Sequence, residues 1–307
     1  QVFRDAAREE TLRSMMLEGE TRRVLAALEA LGMPGLLLKG SALAHWAYPQ
    51  PHLRACNDVD VLVPSREAAE RLAAALAAQG YTRATPSGDL VAHELMCTRR
   101  MTPQWLLEVD VHWRLHNTTL FAQLFGFDEL MASSIPVPRL APNARGLGPA
   151  DALLHAAVHR ARNLANGTGD ALKWLYDLVV LTQAFGAGDW AALVERARRK
   201  QLAGLTLGAL DAAGQAFALE VPATVRSDLR EAAASETLDV DRLGDWRYMQ
   251  LQNFRSVRGL APRLRWLWQR LFPSGDYMRT LYGLPRAGYP ALLRERLRRL
   301  GRKWRQL

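Results

Sequence analysis

Cysteine is scarce in this chain. Cys56 and Cys97 are the two thiols among 307 residues, too few for a disulfide framework or a four-sulfur zinc site. Long apolar runs are missing too: no stretch reaches eighteen apolar residues, which argues against a membrane-spanning helix. The opening residues Gln1-Val2-Phe3-Arg4-Asp5 have neither an initiator methionine nor the apolar centre of a signal peptide. They read as the trimmed or processed start of a cytoplasmic protein, a reading that two thiols in a reducing compartment fit. No internal repeat occurs, and no low-complexity tract beyond Ala-rich helical patches. What remains, 49% apolar and 23% charged, is the composition of a soluble globular protein with room for two domains of ordinary size.

Acidic residues run short in one region only. From Phe254 to Leu307, fourteen Arg or Lys stand against Asp276 and Glu295, a surplus of twelve positive charges. With a net charge of +9 for the chain, residues 1–253 carry −3. A pI near 10.0 by itself suggests a nucleic-acid binder. The basicity belongs to the tail, however, so a continuous polynucleotide groove over the rest is not favoured.

Along the chain, apolar residues at helical spacing predict a long helix over 5–32, closed by Gly32-Met33-Pro34-Gly35. Leu36-Leu37-Leu38 reads as a short buried strand running into Lys39-Gly40-Ser41, with a helix from Ala42 to Ala47 behind it. A strand over 58–63 follows, then a helix from the N-cap candidate Ser65 to about Gln79, stopped by Gly80. Alternation predicts further strands near 81–84, 90–98 and 104–113. The Pro-, Ser-, Gly- and Asn-rich stretch 133–149 reads as a linker or domain boundary. Beyond it the pattern is helical: 149–164, 170–185, 188–200, 202–217, 222–234 and 240–255. Leu293, Leu297, Leu300, Trp304 and Leu307 form one apolar stripe on a terminal helix otherwise rich in Arg.

The chemistry concentrates in three acids. Asp58 and Asp60 alternate with Val59, Val61 and Val63, so they share one strand face, roughly 6–7 Å apart. Carboxylates that close on a mostly buried strand repel unless a cation lies between them. Asp110 sits in a second alternating run, Leu107-Glu108-Val109-Asp110-Val111-His112, where Glu108 and His112 share its face and either could be the ligand instead. Three carboxylates around a pair of Mg²⁺ ions are a standard apparatus for moving phosphoryl or nucleotidyl groups.

The order helix, strand, Lys39-Gly40-Ser41, helix, Asp58-Val59-Asp60, then a later strand with Val109-Asp110-Val111-His112-Trp113, resembles the nucleotidyltransferase domain of the DNA polymerase β superfamily. Tyr48-Pro49, Arg54, Leu153-Leu154-His155, Leu172-Lys173-Trp174-Leu175-Tyr176-Asp177 and Leu271-Phe272-Pro273-Ser274 extend the likeness. They point to the uncharacterised bacterial nucleotidyltransferases found beside polysaccharide and lasso-peptide biosynthetic genes. The resemblance implies an α/β (α+β) nucleotidyltransferase domain with a small mixed sheet over residues 1–135 and an all-helical domain over 136–307. It implies that Gly40 and Ser41 receive the phosphates of an NTP donor, with Lys39, Arg54 and Lys173 as further anion contacts. Asp58, Asp60 and Asp110 would hold two Mg²⁺ ions, a role Mn²⁺ could also fill, and Asp110 would help draw a proton from the acceptor. The acceptor would be a sugar, peptide or other small molecule.

Plainer readings stand beside these. His155 and His159 are four apart, but Ala156 replaces the Glu of His-Glu-x-x-His and no third zinc ligand is evident. His155 is expected to pack or hydrogen-bond within the helical domain instead, and whether His159 faces the cleft is left open; His112 could touch the site or simply pack. Asp170, Lys173 and Asp177 could form a surface ion-pair ladder. The basic helix over 286–307 could dock on the protein, touch an anionic membrane from its inner face, or bind nucleic acid. An RNA-directed transferase of the toxin type and a non-catalytic nucleotide-binding scaffold are the alternatives to small-molecule transfer.

Overall fold

The computed structural model describes residues 1–85, 87–88 and 90–305, with backbone alone at 2 and 303–305. Leu307 and the side chain of Trp304, two positions of the expected terminal stripe, lie outside the described residues.

Seven strands form one mixed sheet: β1 (Leu36–Leu37), β2 (Asp58–Leu62), β3 (Thr82–Arg83), β4 (Glu94–Arg100), β5 (Leu106–His112), β6 (Ile135–Pro136) and β7 (Arg145–Gly146), in the order β3-β4-β5-β2-β1-β7-β6. The two acid-bearing strands are parallel neighbours, with Asp60 opposite Asp110 and Asp58 opposite Glu108. On one sheet face Val59, Val61, Val63, Leu107, Val109 and Val111 are buried in a cluster with helices α1 (Val2–Ala30) and α3 (Arg66–Ala77). Alternation along β2 and β5 therefore turns Asp58, Asp60, Asp110 and His112 to the other face. Between β1 and β2 lies α2 (Lys39–Trp46). It begins three residues earlier than its composition predicts, because Lys39 takes a left-handed φ of 48° and turns the chain directly from strand into helix. Ser65 caps α3 as expected, its Oγ accepting from the Ala68 N–H at 3.2 Å.

The stretch read as a linker is part of the sheet: β7 pairs with β1, and β6 with β7. Strands of two residues have no periodicity to betray them, and Pro and Gly within them read as turn signals. A short α4 (Phe127–Ala132) precedes them. From Pro149 onward the described residues form helices: α5 (Pro149–Ala165), α6 (Leu172–Gln183), α7 (Asp189–Lys200), α8 (Ala203–Phe217), α9 (Ala223–Ala233), α10 (Trp246–Ser256), α11 (Leu260–Leu271), α12 (Gly275–Tyr282) and α13 (Tyr289–Arg305). Leu36, Leu38, Leu43, Tyr48 and Leu62 share one buried cluster with Leu153, Leu154, Leu178 and Leu181 of these helices. The acid-bearing face of the sheet is thus closed over by α5 and α6. No helix among the described residues is long and apolar enough to cross a membrane.

Candidate active site

Asp60 is the centre of the arrangement and is almost wholly buried, 1% exposed. Its Oδ1 accepts from Lys39 Nζ at 2.7 Å and lies 3.0 Å from His112 Nε2. Burial opposes ionisation of Asp60, but Lys39 and His112 overcome it and hold the carboxyl below the ordinary carboxylate range. On the far side of the ring, His112 Nδ1 lies 3.3 Å from Glu94 Oε2, a charge contact without hydrogen-bond geometry. Burial alone would depress the His112 pKa; Glu94 and the bond to Asp60 raise it above its usual value. For Lys39, burial is likewise outweighed by Asp60 and Asp58, and its pKa rises.

Asp110 is half-buried beside this group. Burial and the charge of Glu94 push its pKa up to about 7. Ligand atoms of Asp60, Asp110 and His112 all lie within 4.8 Å of one another, a spacing that suits a shared divalent cation. Asp58 stands outside that trio but on the same face, two residues earlier, and burial with the charge of Asp60 raises its pKa too. A cluster in which two of the acids, Asp58 and Asp110, resist ionisation gains most from a bound cation. Carboxylate oxygens are hard donors of the kind Mg²⁺ prefers, and an imidazole nearby is compatible with Mn²⁺.

The turn ahead of α2 is built into β2. Ser41 Oγ accepts from the Asp60 N–H at 3.1 Å and donates to the Asp58 carbonyl at 3.3 Å, so the helix start is clamped to the acid-bearing strand. Gly40 is required there: a Cβ would sit 2.0 Å from Cys56 Sγ. With buried Ser41 engaged in this way, backbone N–H groups at the start of α2 are the groups left to meet an anion.

Arg54 departs from its expected role. Its Nε and Nη2 donate to Asp177 Oδ1 and Oδ2 at 2.6 and 2.7 Å, its Nη1 donates to the Ala55 carbonyl at 2.7 Å, and Tyr48 donates to the same Asp177 Oδ1 at 2.7 Å. All three nitrogens are bonded within the protein. The guanidinium therefore ties the turn after α2 to α6 in a buried fork rather than presenting itself to a phosphate. The expected ion-pair ladder on α6 does not form either, since Asp170 pairs with Arg160 and Asp177 with Arg54. Lys173 is exposed, its Nζ 6.0 Å from the Trp174 ring centroid, and its charge reaches Asp58.

His155 packs as expected, its ring 5.0 Å from that of His116. His159 stands against Trp174 at 5.0 Å and shares a small cleft with Lys39; burial and Lys39 push its pKa down to about 3. Glu94 escaped the sequence reading. Its signal was present in the alternation of residues 90–98, but only the antiparallel register of β4 with β5 sets it opposite His112.

Residues 1–218, well over half of the chain, match the sequence pattern of a family described as uncharacterised nucleotidyltransferase. The chain belongs to this family. As a nucleotidyltransferase it carries its acids on a mixed sheet under a helical cover. No curated protein matches this nucleotidyltransferase in sequence. Among solved structures it is similar to the antibiotic-resistance factor ANT(2'')-Ia, at 15% identity and a TM-score of 0.42, over 62% of this chain and 96% of the other.

Proposed function

We propose that this nucleotidyltransferase moves a nucleoside monophosphate from an NTP to a hydroxyl or similar nucleophile of a sugar, peptide or other small molecule, in a Mg²⁺-dependent reaction. The observation that carries this reading is the parallel register that sets Asp110 beside Asp60, with Asp58 one step along the same face. Asp60 and Asp110 would hold the metal, with Asp58 completing a two-ion site and His112 orienting Asp60. Divalent ions held by these residues would neutralise phosphate charge and polarise the oxygens of the group being transferred. The backbone at Gly40 and Ser41 receives the donor's phosphates, Lys39 exchanges Asp60 for a phosphate oxygen, and exposed Lys173 adds a cation. Asp110 takes the proton of the attacking hydroxyl as the bond from the α-phosphorus to pyrophosphate breaks. Residues 1–135 would supply the chemistry, and residues 136–307 the closing helices.

The test is incubation of the full chain with α-phosphate-labelled NTPs, Mg²⁺ and cell extract. Label should pass to an acceptor and should stop doing so in Asp60→Ala. Calorimetric titration with ATP and GTP gives the counter-test: nucleotide binding that is indifferent to Mg²⁺ and to Asp58→Ala with Asp60→Ala would mean a scaffold, not an enzyme.

A second reading is peripheral contact with an anionic membrane, which the exposed residues of α11 support more than residues 286–307 do. Leu260, Leu264, Leu267, Trp268 and Leu271 are exposed at spacings of four, three, one and three. They form one exposed apolar face amid the chain's positive surplus, on which the Trp268 ring lies 4.4 Å from that of Phe272. On α13, by contrast, Leu292 is buried and Leu297 exposed. Trp268→Glu with Leu264→Glu should abolish binding to phosphatidylserine vesicles; unchanged binding would remove the membrane from the account.

A further inference from the structure

Nucleotidyl transfer needs two seats on opposite sides of the α-phosphorus, because attacking and leaving oxygens lie roughly in line. The strand order supplies two sides. Lys39, Gly40 and Ser41 follow β1, on one flank of β2, while β5 and then β4 lie on the other. Beyond β4 and β5 opens a cavity of about 690 Å³. Two of its lining residues, Glu94 and Met96, are the register partners of His112 and Asp110, so they project from the same sheet face as the acids. Arg162 lines this cavity and also a second small cleft, which reaches Lys39 and His112 and joins the space to the acid cluster.

We propose that this cavity seats the acceptor, and that it selects a molecule carrying an anionic group, phosphate or carboxylate. This rests on the nucleotidyl-transfer reading and names the class of acceptor for that site.

The charges lining the cavity carry the selection. Arg162 and Arg270 both face it, and neither has a carboxylate partner among the described residues. Arg270 donates to Gln250 Oε1 at 2.6 Å and lies 5.6 Å from the centroid of buried Trp266; its surroundings are short enough of negative charge that burial and Arg296 lower its pKa. Glu94 is the one carboxylate among the described lining residues, and it is occupied by His112 and by Asn117 Nδ2 at 2.6 Å. Among the described residues, a polycationic acceptor therefore meets two guanidiniums without a carboxylate partner and no free acid. An anion gives both cations a partner in partly desolvated surroundings, where charge-assisted bonds are strongest. The wall bearing Gln250, Trp266 and Arg270 lies beyond residue 218, where the family match ends. Donor chemistry thus comes from the shared part of the chain, and acceptor choice from Arg162 within that part together with a wall that lies outside it.

Intrinsic tryptophan fluorescence of the full chain tests this without requiring turnover. Titrations with glucose 6-phosphate, glucuronate, glucose and glucosamine separate a phosphate from a carboxylate and both from neutral and cationic rings. At least one of the two anions should bind ten-fold or more tightly than glucose, with glucosamine weakest. Arg162→Gln and Arg270→Gln should each erase that preference, while Arg270→Lys, which keeps the charge, should retain most of it. Saturation with a non-hydrolysable ATP analogue and Mg²⁺ should leave the anion bound. The proposal is overturned if no anion preference appears, if the glutamine variants keep it, or if the nucleotide analogue displaces the anion, which would make the cavity part of the donor seat. Mg²⁺-dependent nucleotide binding, measured separately, tells such a failure apart from failure of the transferase reading.

Discussion

Asp60 holds a full negative charge almost out of reach of water because Lys39 and His112 meet the same oxygen. Asp110, one strand over, has no such cation in contact and sits near Glu94, and its pKa climbs to about 7. In the unfolded chain an aspartate titrates near 3.9. Between these values the folded state holds the extra proton, so stability falls as pH rises from about 4 to 7 and stays reduced above. Asp110→Asn removes that penalty. In metal-free protein it should raise the thermal midpoint at pH 8 by a few degrees and change it little at pH 4, while abolishing transfer activity; a loss of stability at pH 8 would contradict the assignment. Mg²⁺ should narrow the difference, since a bound cation offsets the same charge. A second expectation concerns Arg54 and Asp177. Removing one partner of a buried fork strands the other charge, at a cost of about 3–5 kcal/mol. Asp177→Ala should lower the thermal midpoint by about 5–10 °C, whereas an Arg54 free to bind phosphate would show its loss in nucleotide affinity with the midpoint little changed.

At the scale of elements, the decisive junction is the one where β1 turns into α2. Left-handed Lys39, close-packed Gly40 and doubly bonded Ser41 follow one another there. Gly40→Ala drives a methyl into Cys56 Sγ, so α2 must shift off β2 and carry Ser41 with it. Nucleotide binding should fall at least ten-fold, and Cys56→Gly in the same chain should restore part of it by vacating the space. Equal impairment with and without the second change would place the fault elsewhere. The strands β2 and β5 were legible in the sequence because alternation of acid with valine has one physical reading, a sheet with one dry face and one face at a polar site. The start of α2 was not, because a lysine with positive φ breaks the usual preference and is held by its tertiary partner Asp60. Strands β6 and β7 were hidden for a different reason: two residues cannot show a period.

Across the whole molecule, one apolar cluster joins the sheet to the helices that follow it. Leu36, Leu38 and Leu62 share a core with Leu153, Leu178 and Leu210, and the Arg54–Asp177 fork crosses the same boundary. A chain ending at residue 135 would expose that core and lose β7 from the side of β1. Such a fragment should accumulate in aggregates or bind a hydrophobic dye strongly; a cooperatively unfolding fragment would show instead that the first part stands alone. The same closeness puts Arg162 and the α10–α12 wall beside the acids, which lets remote sequence choose the acceptor.

By itself the sequence determined the kind of chemistry and the strands that bear it. Acids at alternate positions between valines, and a glycine-serine turn ahead of them, constrain local backbone and face, and these depend on near neighbours alone. Only the tertiary structure decided which charges answer one another. It gave Arg54 to Asp177 and Glu94 to His112 and, among the described residues, left Arg162 and Arg270 without carboxylates. Electrostatic partnership depends on distances of a few ångströms between residues tens or hundreds of positions apart, and no local pattern encodes those distances.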